Sequence, residues 1–274
     1  MVSEKRTTVV GEEGTAPVAK RMMRTVWSAL PRTRWSYNLG KLITRTVLRP
    51  GSRAQPVLVR FGGRIPMTLD LGSFVANDLY CLDEHYESVT LRLWRTLARQ
   101  ARVILDIGSH IGTFALVAAD ANPQARVIAV EADGGNFARL RDHCVPYPNV
   151  TAVHAAIADR PCRMWFCPSG TNDGAGHLTA EQPADPRGYE VNTGTLAELC
   201  AAQQIGAVDL QRQRHQTDKI ERPVDAKDVF LLEIKNLKQS LDGVLRAILL
   251  DFQPDCGPPL HLAQLGLDGM KKVL

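Results

Sequence analysis

The sequence has no run of about 18 uncharged apolar residues, the length an α-helix needs to cross a bilayer. Its opening stretch, MVSEKRTTVVGEEG, is polar and has none of the apolar core of a secretory signal. These two absences set the expectation of a cytoplasmic chain with no membrane span. Cysteine is scattered: Cys81, Cys144, Cys162, Cys167, Cys200 and Cys256, the nearest pair separated by the four residues inside CRMWFC. That spacing fits neither a CxxC redox pair nor a zinc knuckle, so reduced thiols are expected and no structural metal. There is no internal repeat, which excludes solenoids and propellers, and no aromatic stacking series or RNA-binding signature, so nucleic acid is not expected as a partner.

What is present suits one large domain, or a domain with an extension: 274 residues, 45% hydrophobic, enough for a proper core. Charge is uneven. Residues 1 to 64 hold 13 Lys or Arg against 3 Asp or Glu, while the remainder holds 20 against 26. The basic excess reads either as an electrostatic arm for nucleic acid or an acidic partner, or as a solvated extension rich in arginine. The second is favoured because nothing else in the segment points to nucleic acid.

Residues 1 to 20 read as disordered. RMMRTVWSALPRTRWSYNLGKLITRTVL has helical spacing broken at Pro31, and PVLVRFGGRIPMTLDL alternates around Gly62-Gly63 as a hairpin does. Val89, Leu91, Leu93, Trp94 and Leu97 predict a helix over Glu87 to Gln100. Then follow strand VILDIG, helix TFALVAADA, strand RVIAVE, helix GGNFARLRDHC and strand VTAVHAAIA. That alternation is the pattern of an α/β fold with a doubly wound, mostly parallel sheet. The expected division is a basic extension over 1–64, partly disordered, partly helical and including the start of the hairpin, and a main domain over 65–274 that becomes atypical or incomplete toward its C-terminus.

The stretch VILDIGSHIGTF carries the chemistry. A first strand delivers the chain to the carboxyl edge of the sheet, where Gly108 and Gly112 let the backbone turn tightly and approach a ligand. The second strand ends at Glu131, 25 residues after Asp106, where a carboxylate can accept two hydrogen bonds from a ribose diol. Together they predict an adenosine-containing cofactor. A dinucleotide loop reads G-x-G-x-x-G, and its middle glycine is here His110. The wider loop Gly-Ser-His-Ile-Gly suits a small zwitterion, such as the methionine half of S-adenosyl-L-methionine, better than a pyrophosphate. His110 itself reads equally as part of the cofactor loop or as a helix-entry residue bonded to local backbone.

LDIGSHIGTF, followed by VIAVEAD and VHAAIAD, resembles the FkbM family of S-adenosylmethionine-dependent methyltransferases, whose first motif reads Asp-x-Gly-Ala/Ser-Asn/His-x-Gly. YCLDEHYES resembles that family's approach to the first strand, and VNTGTLAEL resembles its Thr-Leu-Asp helix start. The likeness covers about residues 65 to 210. It implies a Rossmann-like class I methyltransferase fold and O-methylation of a small natural product, sugar or lipid-like acceptor. By position it implies that Asp106, Gly108, Ser109, His110, Gly112, Glu131 and Ala132 hold the cofactor, with Ala156 and Ile157 bordering the adenine.

Methyl transfer is an in-line displacement, and much of its acceleration comes from holding acceptor oxygen and methyl carbon about 3 Å apart and aligned. A hydroxyl acceptor also needs a carboxylate, a histidine or a metal to take its proton. Asp173 and His177, in GTNDGAGHL, are the candidate catalytic residues if that segment is a mobile loop over the pocket; the plainer alternative is a surface turn. His85 and Glu87 form a second pair, whose plainer role is at the start of the following helix.

The resemblance breaks after VDL at 208–210. The family continues there into a strand reading Leu-Lys-Ile-Asp-x-Glu-Gly, but here the chain runs into QRQRHQTDKIERPVDAKD, too polar for a central parallel strand. That strand is therefore expected to be missing. VFLLEIKN, Val229 to Asn236, would place Lys235 and Leu237 where the family has its two acids, and a family-like strand returns only near Arg246 to Asp255. Three accounts fit: a divergent enzyme whose acid is Asp173, Asp209 or Glu233, a degenerate cofactor binder, or a sequence altered between about 211 and 245. Two rivals come from other classes: a nicotinamide oxidoreductase, sharing the strand and the ribose acid, and a non-catalytic interaction protein using the basic arm.

Overall fold

A computed structural model describes residues 15–51, 56–169 and 176–213. The helical spacing around Pro31 forms two helices, α1 (Val18–Ser28) and α2 (Arg34–Thr46). Thr33 caps α2 by accepting the Ser36 N–H, while the Ser36 hydroxyl accepts the Thr33 N–H, a reciprocal box that satisfies two orphan donors. α1 begins inside the stretch expected to be disordered, because one of its faces has something to bury: Met23 and Trp27 go inward. Nor is the basic segment wholly solvated. Lys20 is buried and donates to Asn77, and burial lowers its pKa. Arg24 donates to the carbonyls of Tyr80 at 2.8 Å and Arg60 at 3.0 Å and pairs with Asp83 at 3.2 Å.

The hairpin forms as the alternation predicts, β1 (Val57–Phe61) against β2 (Ile65–Leu69), with Phe61 opposite Ile65. Gly62 and Gly63, at φ +58° and +72°, supply the left-handed backbone such a tight turn demands. Next come α3 (Phe74–Leu82), capped by Ser73, a single 3-10 turn over Asp83–His85, and α4 (Ser88–Ala98). Leu91, Trp94 and Leu97 of α4 are buried as expected, while Val89 points outward at 42% exposure. Both α1 and α2 pack on α3.

The alternating segment builds β3 (Val103–Ile107), α5 (Thr113–Ala121), β4 (Arg126–Glu131), α6 (Gly134–Cys144) and β5 (Val150–His154), with the three strands parallel. Leu210 and the first three residues after VDL do form a strand, β10 (Leu210–Gln213), parallel to β3, and the rest of the polar segment lies outside the described residues. The expectation of a missing strand is therefore corrected. Leu210 is buried, and the Arg212 side chain is neutralised by Asp106 of the neighbouring strand, so a polar string is tolerated in the ladder. The sheet order is β10-β3-β4-β5.

VTAVHAAIA, expected as one strand, is two. It breaks at Ala155, whose N–H turns to the Glu131 carbonyl at 3.1 Å, and β6 (Ala156–Ile157) joins another sheet. That sheet also contains β7 (Arg163–Cys167), β8 (His177–Thr179) and β9 (Tyr189–Gly194), in the order β6-β9-β7-β8. The segment resembling a Thr-Leu-Asp start becomes α7 (Leu196–Ala202), capped reciprocally by Thr195 and Glu198. Leu105, Ile107, Ile128, Val130 and Leu199 form one core cluster, each burial contributing about 1.5–3 kcal/mol. The five described cysteines are free, and burial pushes the thiols of Cys81 and Cys144 up to about 12, which keeps them unreactive; Cys256 lies outside the described residues. Also outside them are Asp173, Glu233 and the segments Val229 to Asn236 and Arg246 to Asp255. Among the described residues no helix is long and apolar enough to cross a membrane.

Candidate functional site

The chain leaves β3 at Ile107 and reaches α5 through three residues with positive φ: Gly108 at +75°, His110 at +55° and Gly112 at +95°. The N–H groups of Gly108 and Ser109 both donate to the Val130 carbonyl at 2.9 Å, which folds the loop against β4. Ser109 Oγ donates to the Asp106 carbonyl at 2.7 Å, and the Gly112 N–H closes on the Ser109 carbonyl at 2.8 Å. Gly112 is required twice over. Its backbone is left-handed, and a Cβ there would stand 2.7 Å from Leu140 Cδ1.

His110 is the uncommon case of a left-handed residue with a side chain. What holds it is Glu131, the last residue of β4, whose Oε2 accepts the His110 N–H at 2.8 Å. Oε1 accepts the Asp133 N–H at 2.9 Å. Glu131 is only 3% exposed, and burial pushes its pKa up, opposed by the Asp133 hydrogen bond, the nearby His110 imidazole and the His110 hydrogen bond. A carboxylate has about four acceptor positions, so two are left for another donor pair.

Asp106, one residue before the end of β3, is fully buried. Its Oδ1 receives Arg212 Nη1 at 2.9 Å, and its Oδ2 has no hydrogen-bond partner among the described residues. The Arg212 guanidinium lies 4.0 Å over the Phe114 ring. Sequence reasoning missed Arg212, although a signal was present: carrying the family phrase straight on from VDL puts Arg212 at its lysine.

Asp133, whose N–H Glu131 accepts, opens a further set of contacts at the start of α6. Asp133 caps that helix by accepting the Asn136 N–H at 2.7 Å, and its other oxygen accepts the Tyr189 hydroxyl at 3.1 Å. Burial first, then the acidic neighbours, pushes the Tyr189 phenol up to about 12, so it stays a donor. The Ala132 carbonyl accepts His154 Nε2 at 3.1 Å, and the His154 ring stacks on Phe137 at 4.7 Å. Ala156 is buried opposite Thr193, and Ile157 packs on the core cluster; the adjoining Ala155 N–H ties their strand to the Glu131 carbonyl. His143 was also missed. Its Nδ1 donates to the Ile111 carbonyl at 2.8 Å and its Nε2 accepts the Thr68 N–H at 2.9 Å, clamping the loop to β2. Burial lowers its pKa, so the neutral ring is favoured.

Other candidates sit elsewhere. His177, expected in a loop, is on β8 in register with Cys167, and three strand spacings, about 14 Å, separate β8 from β6. Asp209 cannot be the edge acid: its Oδ2 accepts the N–H groups of Arg102 at 2.8 Å and Val103 at 3.0 Å, at the amino end of β3, opposite the loop. His85 is 1% exposed and its Nε2 is held by the Leu30 and Pro31 carbonyls, so it anchors the N-terminal helices rather than a substrate. Glu87 is the left-handed residue before α4. A cavity of about 130 Å³ lined by Arg32, Glu84, Ser88, Leu91, Arg92 and Arg95 includes none of the loop residues. Among the described residues no cluster of three His, Cys, Asp or Glu could hold a metal.

No protein-family model matches the chain, and no curated protein matches it. Solved structures overlap it in part. One is precorrin-6y C5,15-methyltransferase from Geobacter metallireducens, 27% identical over 27% of this chain and 38% of that one, with a TM-score of 0.24. Another is TYW2 from Pyrococcus horikoshii in complex with MeSAdo, 15% identical over 49% of this chain and 63% of that one, with a TM-score of 0.26. The chain thus spans less than two thirds of either structure. Overlaps this small define neither a family nor an activity.

Proposed function

We propose that the protein is an S-adenosylmethionine-dependent methyltransferase acting on a hydroxyl oxygen of a small acceptor. The supporting observation is topological. From β3 the chain runs outward on one side to β4 and β5 and returns on the other side as β10, so the carboxyl end of β3 is a switch point, where open α/β sheets bind their ligands. The bent loop Gly108–Gly112 and the Glu131 carboxylate meet at that end.

The residues there fit the cofactor. Glu131 keeps two acceptor positions for a ribose diol, and Asp106 Oδ2 is a buried acceptor without a partner among the described residues, which an ammonium would satisfy. Gly108, Ser109, His110 and Gly112 would shape the floor of the site, Ala132 its rim, and Ala156 and Ile157 the side toward the adenine. When bound, S-adenosylmethionine supplies an electrophilic methyl on a sulfonium. The protein's part is to orient the reactants and exclude water; the sequence-based pair for the acceptor proton, His177 with Asp173, is not brought to this loop, since His177 stands on β8, three strands from β6, and Asp173 lies outside the described residues.

A second reading, cofactor binding without turnover, is favoured by one observation. Arg212 neutralises Asp106 and Asp209 is committed to the far end of β3, so neither acid is available to take a proton at the carboxyl edge of β10. Calorimetric titration of S-adenosylmethionine into wild type and Glu131→Ala tests the common core of both readings: heat of binding in the first and none in the second supports it, and no difference between them refutes it. Methyl release onto an alcohol library then separates the two readings.

A further inference from the structure

We propose that the outer faces of α1 and α2 dock the protein onto an anionic phospholipid surface. Ten large apolar side chains stand exposed among the described residues, and six of them fall between Val18 and Val47. On α1, Val18, Met22 and Val26 are 60%, 63% and 52% exposed and follow one another at four-residue steps, one stripe on a helix. On α2, Trp35 and Leu42 are 68% and 59% exposed at a seven-residue step, two turns apart on one face. The opposite sides are committed inward: Lys20, Met23 and Trp27 on α1, Ser36 and Thr44 on α2, all buried. A pair of helices that has satisfied its inner faces and still shows two apolar stripes has an unassigned surface.

Charge says what covers it. From Gly14 to Leu69 the sequence has no Asp or Glu and eleven Lys or Arg. Lys20 and Arg24 are buried or half-buried, whereas Arg21, Arg45 and Arg49 are exposed on the same two helices or just beyond α2, Arg45 while pairing with Asp78 at 3.9 Å and Arg49 while donating to the Arg45 and Thr46 carbonyls. The acids beneath these helices, Asp78, Asp83 and Glu84, are largely buried and paired with Arg45, Arg24 and Arg32 respectively. A surface with apolar stripes, flanking cations, no exposed acid on either helix among the described residues and an exposed Trp is complementary to the boundary between acyl chains and anionic headgroups. The helices are 11 and 13 residues long, so they would lie on the surface and not cross it.

Co-sedimentation of the full chain with vesicles tests this. Vesicles of phosphatidylcholine with about one third phosphatidylserine are expected to carry down at least about tenfold more protein than phosphatidylcholine alone, and molar salt should abolish the difference. A Met22→Asp, Val26→Asp double variant should lose vesicle binding while its thermal melt stays within a few degrees of wild type. An Arg21→Gln, Arg49→Gln variant keeps the apolar stripes and the Arg45–Asp78 pair and should lose much of the preference for anionic vesicles. Equal binding to both vesicle types, or unchanged binding by the Asp variant, overturns the proposal. So does self-association detected by light scattering, or retention on nucleic acid, if either occurs without vesicle binding.

Discussion

Arg212 and Asp106, 106 residues apart in the chain, form an ion pair of 2.9 Å in which neither side chain is more than 6% exposed. It joins the last described strand to the strand that carries the glycine loop, and Phe114 closes the far face of the guanidinium. Removing one partner strands the other's charge in a dry interior. Arg212→Met is expected to lower stability by about 3–5 kcal/mol, and the Asp106→Asn, Arg212→Met double variant by clearly less. Urea unfolding with both variants decides it; a loss below about 1 kcal/mol for the single variant would mean the pair contributes nothing.

Gly112→Ala should cost more than Gly63→Ala. Both positions have positive φ, so both charge a backbone penalty of about 1–2 kcal/mol. Only at Gly112 does the new methyl meet a neighbour, Leu140 Cδ1 at 2.7 Å, while at Gly63 it meets open space. Adding Leu140→Val to Gly112→Ala should recover part of the difference. Denaturant midpoints for the three variants check this, and equal losses at the two glycines would contradict the packing argument.

His143 predicts an acid-side loss of stability. Its folded pKa lies below the ordinary 6.5, chiefly through burial, so the unfolded chain takes up the proton first as pH falls. The stability it contributes is whole above about 6.5 and is lost as pH drops through the lower folded value, at up to about 1.4 kcal/mol per pH unit. A His143→Gln variant, which can still donate and accept, should show a flatter profile between pH 7 and 5 in thermal melts. An unchanged slope would assign the acid sensitivity to another group.

The alternation of strand and helix from Val103 to Cys144 was legible because each element is local: a run of β-branched and aliphatic residues, then glycines, then a continuous apolar helix. The hairpin was legible for the same reason, from Gly62-Gly63 between two alternating runs. β10 was not, since Leu-Gln-Arg-Gln carries no apolar periodicity and is held by a partner 106 residues away. His143 was hidden likewise, its partners Ile111 and Thr68 lying 32 and 75 residues off. The break at Ala155 depends on one hydrogen bond to Glu131, which no propensity encodes. At the candidate site, the order Asp106, Gly108, Gly112, Glu131 could be read from spacing. That Glu131 also props His110 in a left-handed conformation could not.

Glu131 has a structural duty separable from any ligand. Because both its oxygens accept backbone N–H groups, Glu131→Gln turns an amide toward either the His110 or the Asp133 N–H and leaves two donors facing each other. The expected cost is about 1–3 kcal/mol. A Glu131→Gln protein as stable as wild type by urea unfolding would show that the two hydrogen bonds do not hold the loop.

The central claim, that the loop at Gly108–Gly112 and the Glu131 carboxylate together bind an adenosyl amino-acid cofactor, is met most directly by thermal shift with S-adenosylhomocysteine beside NADH. At a ligand concentration near 100 times the dissociation constant, the first should stabilise wild type by about 2.7 kcal/mol and raise its melting temperature by several degrees. NADH should leave it unmoved, and Glu131→Ala should respond to neither. A shift with NADH alone, or the same S-adenosylhomocysteine shift in Glu131→Ala as in wild type, would contradict the account.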